Sequence, residues 1–327
     1  MNTSIKSILK IVLPLLLGGI LVWYSLQKTP IETLTSYFKN ANYFWIGLGV
    51  FLGILSHISR AYRWKFMIEP LGYTLRFPNS LMAVFSAYLI NYTVPRAGEV
   101  SRATIITNYE GVPFEKGFGT IVAERVADIF MMLVIIIITF FLEFDVIYNF
   151  FFEDIHIQKQ LWLLVFFLVG IFTIYMIFKK GKHPFLGQLI TLVKGFLEGL
   201  LSIVKMQNKW AFIAHTFFIW IMYVLMFYVT SFSIDGIANL PFSALLMGFI
   251  AASFSIAATN GGIGSYPLAI YAAFSLFNIA EAPSLAFGWI MWTSQTIMIV
   301  VLGGLSLILL PFFNTYNPEQ KAKQTSV

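Results

Sequence analysis

Long apolar stretches alternate with short polar ones along the whole chain. A helix needs about 20 mainly apolar residues to cross the hydrocarbon core of a bilayer. No small-residue cleavage site follows the first stretch, so we interpret it as an uncleaved span rather than a signal peptide. The pattern predicts an all-α polytopic membrane protein with six spanning helices, at about 8–26, 44–67, 117–142, 160–179, 209–232 and 284–311.

Two further apolar stretches, 79–93 and 243–259, are too short for a full span, and each stops at a segment containing Pro or Gly. A second short helical stretch follows each break, at 98–109 and at 265–278. Broken backbone is tolerated at membrane depth only where protein or a water-filled cavity covers it, because lipid cannot pair its polar groups. We therefore predict two re-entrant helix hairpins, which brings the apolar helical segments to eight. The alternative is one kinked spanning helix in each place.

The interrupted stretches lie at matching places in two halves of the chain, about 8–142 and 160–311. Each half reads as span, span, hairpin, span. Three crossings are an odd number, so the second half is expected to lie upside down relative to the first, as in the inverted repeats of many transporters. Three pairs of positions support the repeat: Gly98 with Gly264 and Phe44 with Trp210 at an offset of 166 residues, and Pro113 with Pro283 at an offset of 170.

We expect these segments to form a single transmembrane domain, residues 1–315. Within it, residues 185–204 place Phe, Leu and Val at helical spacing with polar residues between them, which predicts an amphipathic helix on the cytoplasmic membrane surface. The polar segment 316–327 is expected to be a disordered cytoplasmic tail.

Composition and charge agree with a membrane protein and exclude several other classes. Hydrophobic residues make up 58% of the 327 residues and charged residues only 11%, against about 25% charged in soluble domains. The chain has no Cys, which excludes disulfides and thiol catalysis. We count 15 of the 21 Lys and Arg residues in the segments predicted to be cytoplasmic. The net charge of +6 therefore needs no nucleic-acid partner, and both termini are predicted on the cytoplasmic side of the inner membrane.

Six charged residues fall in or beside the first hairpin and the third span: Arg96, Glu99, Arg102, Glu124, Arg125 and Asp128. A charge at the bilayer centre costs about 2.5–3.5 kcal/mol on insertion scales, so these residues are expected to pair or to face water. Their spacing favours one network of balanced formal charge. It is either a structural ion-pair network or a polar cavity in which Arg96 or Arg102 holds an anionic head group while the carboxylates orient it or relay protons. Gly98 would leave room for close backbone approach.

Two other groups of residues suggest roles around that cavity. His57, Arg60 and Arg63 recur every three residues near the cytoplasmic end of the second span, where they would guide anionic lipid heads or simply anchor the helix. The break in the second hairpin contains Asn260, Gly261, Gly262 and Gly264. Its amides would form an anion-binding nest, or its glycines would allow tight helix packing.

The segment Asn91-x3-Pro95-Arg96-x-Gly98-Glu99-x2-Arg102, followed by Gly111-Val112-Pro113 and Glu124-Arg125-x2-Asp128, resembles the signature of the flippase-like family. That family includes the transmembrane region of lysylphosphatidylglycerol synthases. The resemblance extends over about 8–311 and implies an inner-membrane protein with re-entrant helices and a role in lipid translocation. Tyr266-Pro267 stands where the family often has Arg-Glu, which puts any role of that acid in doubt. No aminoacyl-transferase domain is present in the sequence, so lysyl transfer to lipid is not expected.

The function favoured by these features is translocation of an anionic lipid, a phospholipid or a polyprenyl phosphate, across the cytoplasmic membrane. The partners would be anionic membrane lipids, and no cofactor, metal or nucleic acid is expected. No Walker motif is present, so ATP is not expected to drive the movement directly. The alternatives are a membrane-embedded lipid or polyprenyl-phosphate transferase, and a solute transporter or accessory subunit. The sequence leaves the oligomeric state open, a homo-oligomer included.

Overall fold

The structure is a computed structural model that describes residues 3–94, 96–144, 203 and 206–314, with side chains from residue 16 onward. Its regular structure consists entirely of helices in these ranges, which confirms the all-α prediction. The predicted span 160–179, nearly all of the predicted helix 185–204 and the tail 316–327 lie outside them. The α-helices are α1 (Thr3–Lys28), α2 (Ile31–Asn40), α3 (Tyr43–Ile68), α4 (Phe77–Thr93), α5 (Ala97–Glu110), α6 (Phe114–Leu142), α7 (Lys209–Ser231), α8 (Phe242–Ala258), α9 (Ser265–Ser275) and α10 (Glu281–Asn314).

Four of the described helices, α3, α6, α7 and α10, are long and apolar enough to cross a membrane, and α8 is a shorter apolar helix. Their outer faces expose large apolar side chains such as Phe141, Trp210 and Phe312, each at least 73% exposed. Such surfaces would aggregate in water but are compatible with lipid. The protein is therefore a multi-pass membrane protein.

Both predicted hairpins are present as pairs of short helices. α4 packs along α5, and α8 packs along α9, which a single kinked helix would not allow. The reversal of the first pair is visible where the Gly98 amide donates to Asn91 Oδ1 at 2.8 Å and the Gly98 Cα faces the carbonyl of Ala87. Proline starts or precedes the first helix of each pair, at Pro78 and Pro241, where its missing amide hydrogen costs nothing.

The helix contacts come in matched pairs, as an internal two-fold repeat requires. α4 packs on α10 just as α8 packs on α6, and α5 packs on α6 just as α9 packs on α10. In the predicted repeat α3 and α7 correspond to each other, and among the described helices they form the largest contact, which is where an axis relating the two halves would pass. The inversion of the second half stays a prediction, because residues 145–202 between α6 and α7 lie outside the described ranges.

The contact between α3 and α7, which we call the seam, depends on two glycines four residues apart. A Cβ added to Gly49 would collide with the hydroxyl of Thr230, and one added to Gly53 would lie 3.1 Å from Met226 Sδ. Small residues at this spacing let two membrane helices approach closely. The two halves are therefore joined along a tight interface.

A residue with positive φ stands before the second helix of each hairpin, and the two residues that match in this way differ from the predicted pair. The residue before α5 is Arg96, with φ 62°, and the residue before α9 is Gly264, with φ 70°. Both have a positive φ and both stand directly before the second helix of a hairpin, so the structural equivalent of Gly264 is Arg96 and not Gly98. A left-handed conformation is free for Gly but costs a residue with a Cβ about 1–2 kcal/mol.

Candidate functional site

Two buried carboxylates on α6 form the centre of a charged cluster. Glu124 is 0% exposed and Asp128 is 9% exposed, and their i,i+4 spacing places them on one face of the helix. Three arginines approach this face from two neighbouring helices, Arg60 and Arg63 from α3 and Arg102 from α5. We refer to these five residues as the ion cluster.

Arg102 is held on both sides. Its Nη1 and Nη2 donate to Glu124 Oε1 and Oε2 at 3.1 and 3.0 Å, a bidentate pair. Its guanidinium lies 3.8 Å from the ring centroid of Trp64, within cation–π range. Trp64 is itself fixed by a 2.8 Å hydrogen bond from its Nε1 to Thr120 Oγ1. α5 is thus tied to α6 and to α3 by one side chain.

The two arginines of α3 bridge the carboxylates. Arg60 Nη1 lies 2.5 Å from Glu124 Oε1 and 2.7 Å from Asp128 Oδ2. Arg63 Nη1 donates to Thr216 Oγ1 on α7 at 2.6 Å. Its Nη2 lies 3.5–3.6 Å from both carboxylates and makes no hydrogen bond to the described residues. Arg63 therefore has spare donor capacity although its side chain is fully buried.

The ion cluster also contacts uncharged side chains of α7, which a hydrophobicity pattern assigns only to a membrane span. Trp220 Nε1 donates to Asp128 Oδ1 at 3.4 Å, and Arg60 Nη2 donates to the Tyr223 hydroxyl at 3.5 Å. With Thr216, these residues bring α7 into the site. No charge or motif marks them, so sequence reasoning missed them. The available signal was the recurrence of polar groups at 216, 220 and 223 on one helical face.

A small, partly open cleft lies beside the ion cluster, between α4, α5 and α6. Its polar lining consists of Tyr88, Asn91, Glu99, Arg102 and Arg125. The Arg125 side chain is 40% exposed and lies 3.6 Å from Asp128, 3.9 Å from Glu124 and 4.0 Å from Glu99, beyond hydrogen-bonding distance in each case. Arg125 is thus the cation of this site that remains open to a ligand.

The charges of the site do not cancel. Four arginines, Arg60, Arg63, Arg102 and Arg125, face three carboxylates, Glu99, Glu124 and Asp128, so four positive and three negative charges leave one positive charge in excess. The predicted balanced network is wrong in this respect, because it omitted the two arginines of α3 and included Arg96.

Arg96 lies apart from the site that the sequence assigned to it. α5 begins at Ala97, and the left-handed conformation of Arg96 turns it out of the helical face shared by Glu99 and Arg102. Its side chain is exposed and has no ion pair or hydrogen bond to the rest of the described chain. The prediction that Arg96 joins the network is therefore wrong.

The three residues expected to guide lipid heads are buried. His57, Arg60 and Arg63 are at most 6% exposed, and the two arginines belong to the ion cluster. The prediction of a guide on the surface of α3 is wrong, since the helix turns this face toward α6 and α7. His57 lies among aromatic rings, 4.6 Å from that of Tyr88 and 6.0 Å from that of Tyr223.

The second hairpin break uses its glycines for close packing. A Cβ added to Gly261 would lie 2.7 Å from the ring of Tyr92, and one added to Gly264 would lie 2.5 Å from the backbone nitrogen of Val22 on α1. Gly262 also has positive φ, at 78°. Asn260 is 3% exposed, and its Nδ2 has no hydrogen bond within the described ranges. These contacts favour the packing interpretation over an anion nest.

Comparison with known proteins identifies relatives of the whole domain. The family model for the lysylphosphatidylglycerol synthase TM region matches residues 11–304. The UPF0104 membrane protein MJ1595 of Methanocaldococcus jannaschii is 25% identical over 307 residues, covering 83% of this chain and 86% of that protein. No solved structure matches the chain.

Proposed function

The chain belongs to the lysylphosphatidylglycerol synthase TM region family, and from this premise we propose that it carries the head group of an anionic lipid across the cytoplasmic membrane. The lipid is a phospholipid or a polyprenyl phosphate, and the head group passes through the cleft beside Arg125. The tails stay in the surrounding lipid, so only the charged part needs a polar route.

The excess positive charge of the site is the observation that carries this proposal. An unpaired charge in a low-dielectric interior is unfavourable, and a ligand of opposite charge relieves that cost. A phosphodiester carries one negative charge, which is the charge needed to neutralise the four arginines and three carboxylates, whereas a polyprenyl phosphate, a monoester, carries about 1.5 to 2. The phosphate thereby exchanges its hydration shell for guanidinium donors, which lowers the barrier to crossing.

Arg125 is the side chain that we assign to the phosphate. Both Nη atoms of Arg102 are engaged by Glu124, whereas Arg125 is partly exposed and only loosely paired. Asn91 and Tyr88 line the same cleft and can hydrogen-bond the rest of a head group. Glu99 lies 4.0 Å from Arg125 Nε, and its negative charge favours a guanidinium at the cleft.

The transferase alternative is less well supported, because the arginine contacts of the two buried carboxylates disfavour it. A general base or metal ligand needs free carboxylate oxygens. Arginines occupy the oxygens of Glu124 and Asp128 on all sides, so these acids are better suited to fixing α3, α5 and α6 relative to one another.

The test is lipid translocation by purified protein in vesicles of phosphatidylcholine that contain a fluorescent phosphatidylglycerol or a labelled polyprenyl phosphate. Arg125→Ala should slow movement of the accepted lipid about 10- to 100-fold, as expected for losing one charge-assisted contact. Lys116→Ala, which removes an exposed cation from the same helix, should change the rate less than about twofold. A new lipid product would instead support the transferase. Equal rates for the two variants would contradict the role of Arg125.

A further inference from the structure

We propose that lipid movement is coupled to a proton carried on His57. This inference rests on the proposed function and adds its energy source. The proton enters from the water on the side where the lipid head enters and leaves with it on the other side. The only bond made and broken is the N–H bond at a His57 ring nitrogen.

His57 lies one residue layer behind the cleft. Its ring centroid is 4.6 Å from that of Tyr88, which lines the cleft, and 5.5 Å from that of Phe85. The side chain is 94% buried, and its Nδ1 has no hydrogen-bond partner in the described part of the chain. A buried polar atom without a partner is costly unless it serves a further purpose.

The groups facing His57 determine when it can hold a proton. Arg60 lies three residues further along α3, α4 contributes Tyr88, and α7 contributes Tyr223, which accepts from Arg60. From α10, the uncharged Gln295 reaches Gly53, one helical turn away. The carboxylates of α6 bind Arg60 and do not face His57 directly. The nearest formal charge is thus positive, and it repels a proton on His57.

The acids of the ion cluster are poor proton carriers by comparison. Protonating Glu124 would weaken its pairs with Arg60 and Arg102 at once, and protonating Asp128 would weaken those with Arg60 and Arg125. Each loss leaves buried arginines without a counter-charge. The sequence-based expectation that these carboxylates relay protons is therefore replaced by His57.

Charge arithmetic links the proton to the lipid. The empty site carries one excess positive charge, counted from four arginines and three carboxylates. A phosphodiester brings the sum to zero, which removes the excess positive charge that opposes a proton on His57. Since the phosphate attracts the proton, each ligand binds more tightly when the other is present.

The experiment compares His57→Gln with His215→Gln in vesicles holding labelled phosphatidylglycerol, with and without an imposed pH gradient. His215 is the matched control, because it lies on α7, is only partly buried, and bonds Ser59 Oγ at 2.8 Å instead of facing the cleft. Wild type and His215→Gln should accumulate the lipid in one leaflet, by up to about tenfold per pH unit for one proton per lipid. His57→Gln should still equilibrate the lipid but should not accumulate it.

A second measurement distinguishes loss of proton coupling from misfolding of the His57→Gln variant. Short-chain phosphatidylglycerol added to the full chain in detergent should cause uptake of about one proton per lipid bound, read with a pH indicator. His57→Gln should bind the same lipid without proton uptake. Lipid movement in wild type that ignores the gradient, or uptake that persists in His57→Gln, would overturn the coupling and leave the proposed function standing. Absence of any lipid movement in wild type would overturn both.

Discussion

The two hairpins share a backbone plan but are held in place by different chemistry. The first, α4–α5, is fixed by charged and amide groups. At its base Arg76 Nε donates to Glu110 at 3.0 Å, and Asn79 and Asn314 exchange hydrogen bonds at 2.8 and 2.9 Å across to α10. In its second helix Arg102 pairs with Glu124.

The second hairpin, α8–α9, is fixed by hydroxyls and glycines. Ser265 Oγ lies 2.6 Å from Ser255 Oγ and 2.9 Å from Thr259 Oγ1, and the glycines at 261 and 264 pack against Tyr92 and α1. The matched helix contacts show that packing alone can maintain this architecture. The architecture therefore does not require charges at this place, so the charges of the first hairpin can serve in binding as well as in fixing α5 to α6.

The largest loss of stability is expected from Glu124→Gln, which tests whether charges hold the first hairpin in place. The change leaves Arg60 and Arg102 buried without their shared carboxylate, which costs about 3–5 kcal/mol when one partner of a buried pair is removed. Thermal unfolding in detergent would measure the loss. Glu99→Gln is the control, because Glu99 lies at the open cleft and its pair should contribute less than about 1 kcal/mol. Similar unfolding temperatures for both variants would mean that the ion cluster does not stabilise the first hairpin.

An intermediate loss of stability is expected when one closely packed glycine of each hairpin is replaced by alanine. Gly98→Ala forces a Cβ into the Ala87 carbonyl, and Gly264→Ala forces one against the backbone of α1. Overpacking of this kind costs about 1–3 kcal/mol, so both variants should lower the unfolding temperature. Gly304→Ala is the matched control, since its added Cβ meets no atom within 4 Å and Ala favours a helix. A tolerant Gly264→Ala would show that the second hairpin is loosely packed.

The smallest change in stability is expected at Arg96, where a substitution should stabilise the protein instead of destabilising it. Arg96→Gly removes a side chain that makes no described contact and relieves its left-handed conformation, so stability should rise by about 1 kcal/mol or less. Arg96→Ala keeps the strain and should be neutral. A clear loss of stability in Arg96→Gly would show that this side chain supports the first hairpin after all.

Much of the architecture could be predicted from the sequence, because span length and helix breaks are local signals. The helix ends at 93 and 258 fall within one residue of the predicted breaks. A charge network between the first hairpin and the third span follows from the cost of isolated charges in an apolar environment, but its individual pairs, such as Arg102 with Glu124, do not. The sequence predicts Arg60 and Arg63 at the surface, because arginines at a cytoplasmic helix end usually extend to the interface. Only the packing of α3 against α6 reveals that they turn inward.

The remaining errors concern the backbone conformation of Arg96 and the rotation of helices about their axes. Nothing in the sequence shows that Arg96 is left-handed, and one such residue is enough to remove its side chain from the face of α5. The roles of Trp64, Trp220 and Tyr223 depend on the rotation of whole helices about their axes. Each of these aromatic side chains carries one polar atom, which a hydrophobicity pattern does not detect because it counts the residue as apolar.

The seam has a mechanical consequence, because α3 carries both the seam glycines and the arginines of the ion cluster. If α3 slid past its neighbours by one helical turn, Arg60 and Arg63 would move by about 5.4 Å, farther than any of their ion pairs could stretch. Sliding would therefore break every bond between α3 and the acids of α6 in a single step. Rocking of the two halves about Gly49 and Gly53 displaces the nearby arginines far less, so it is the motion that this geometry leaves available.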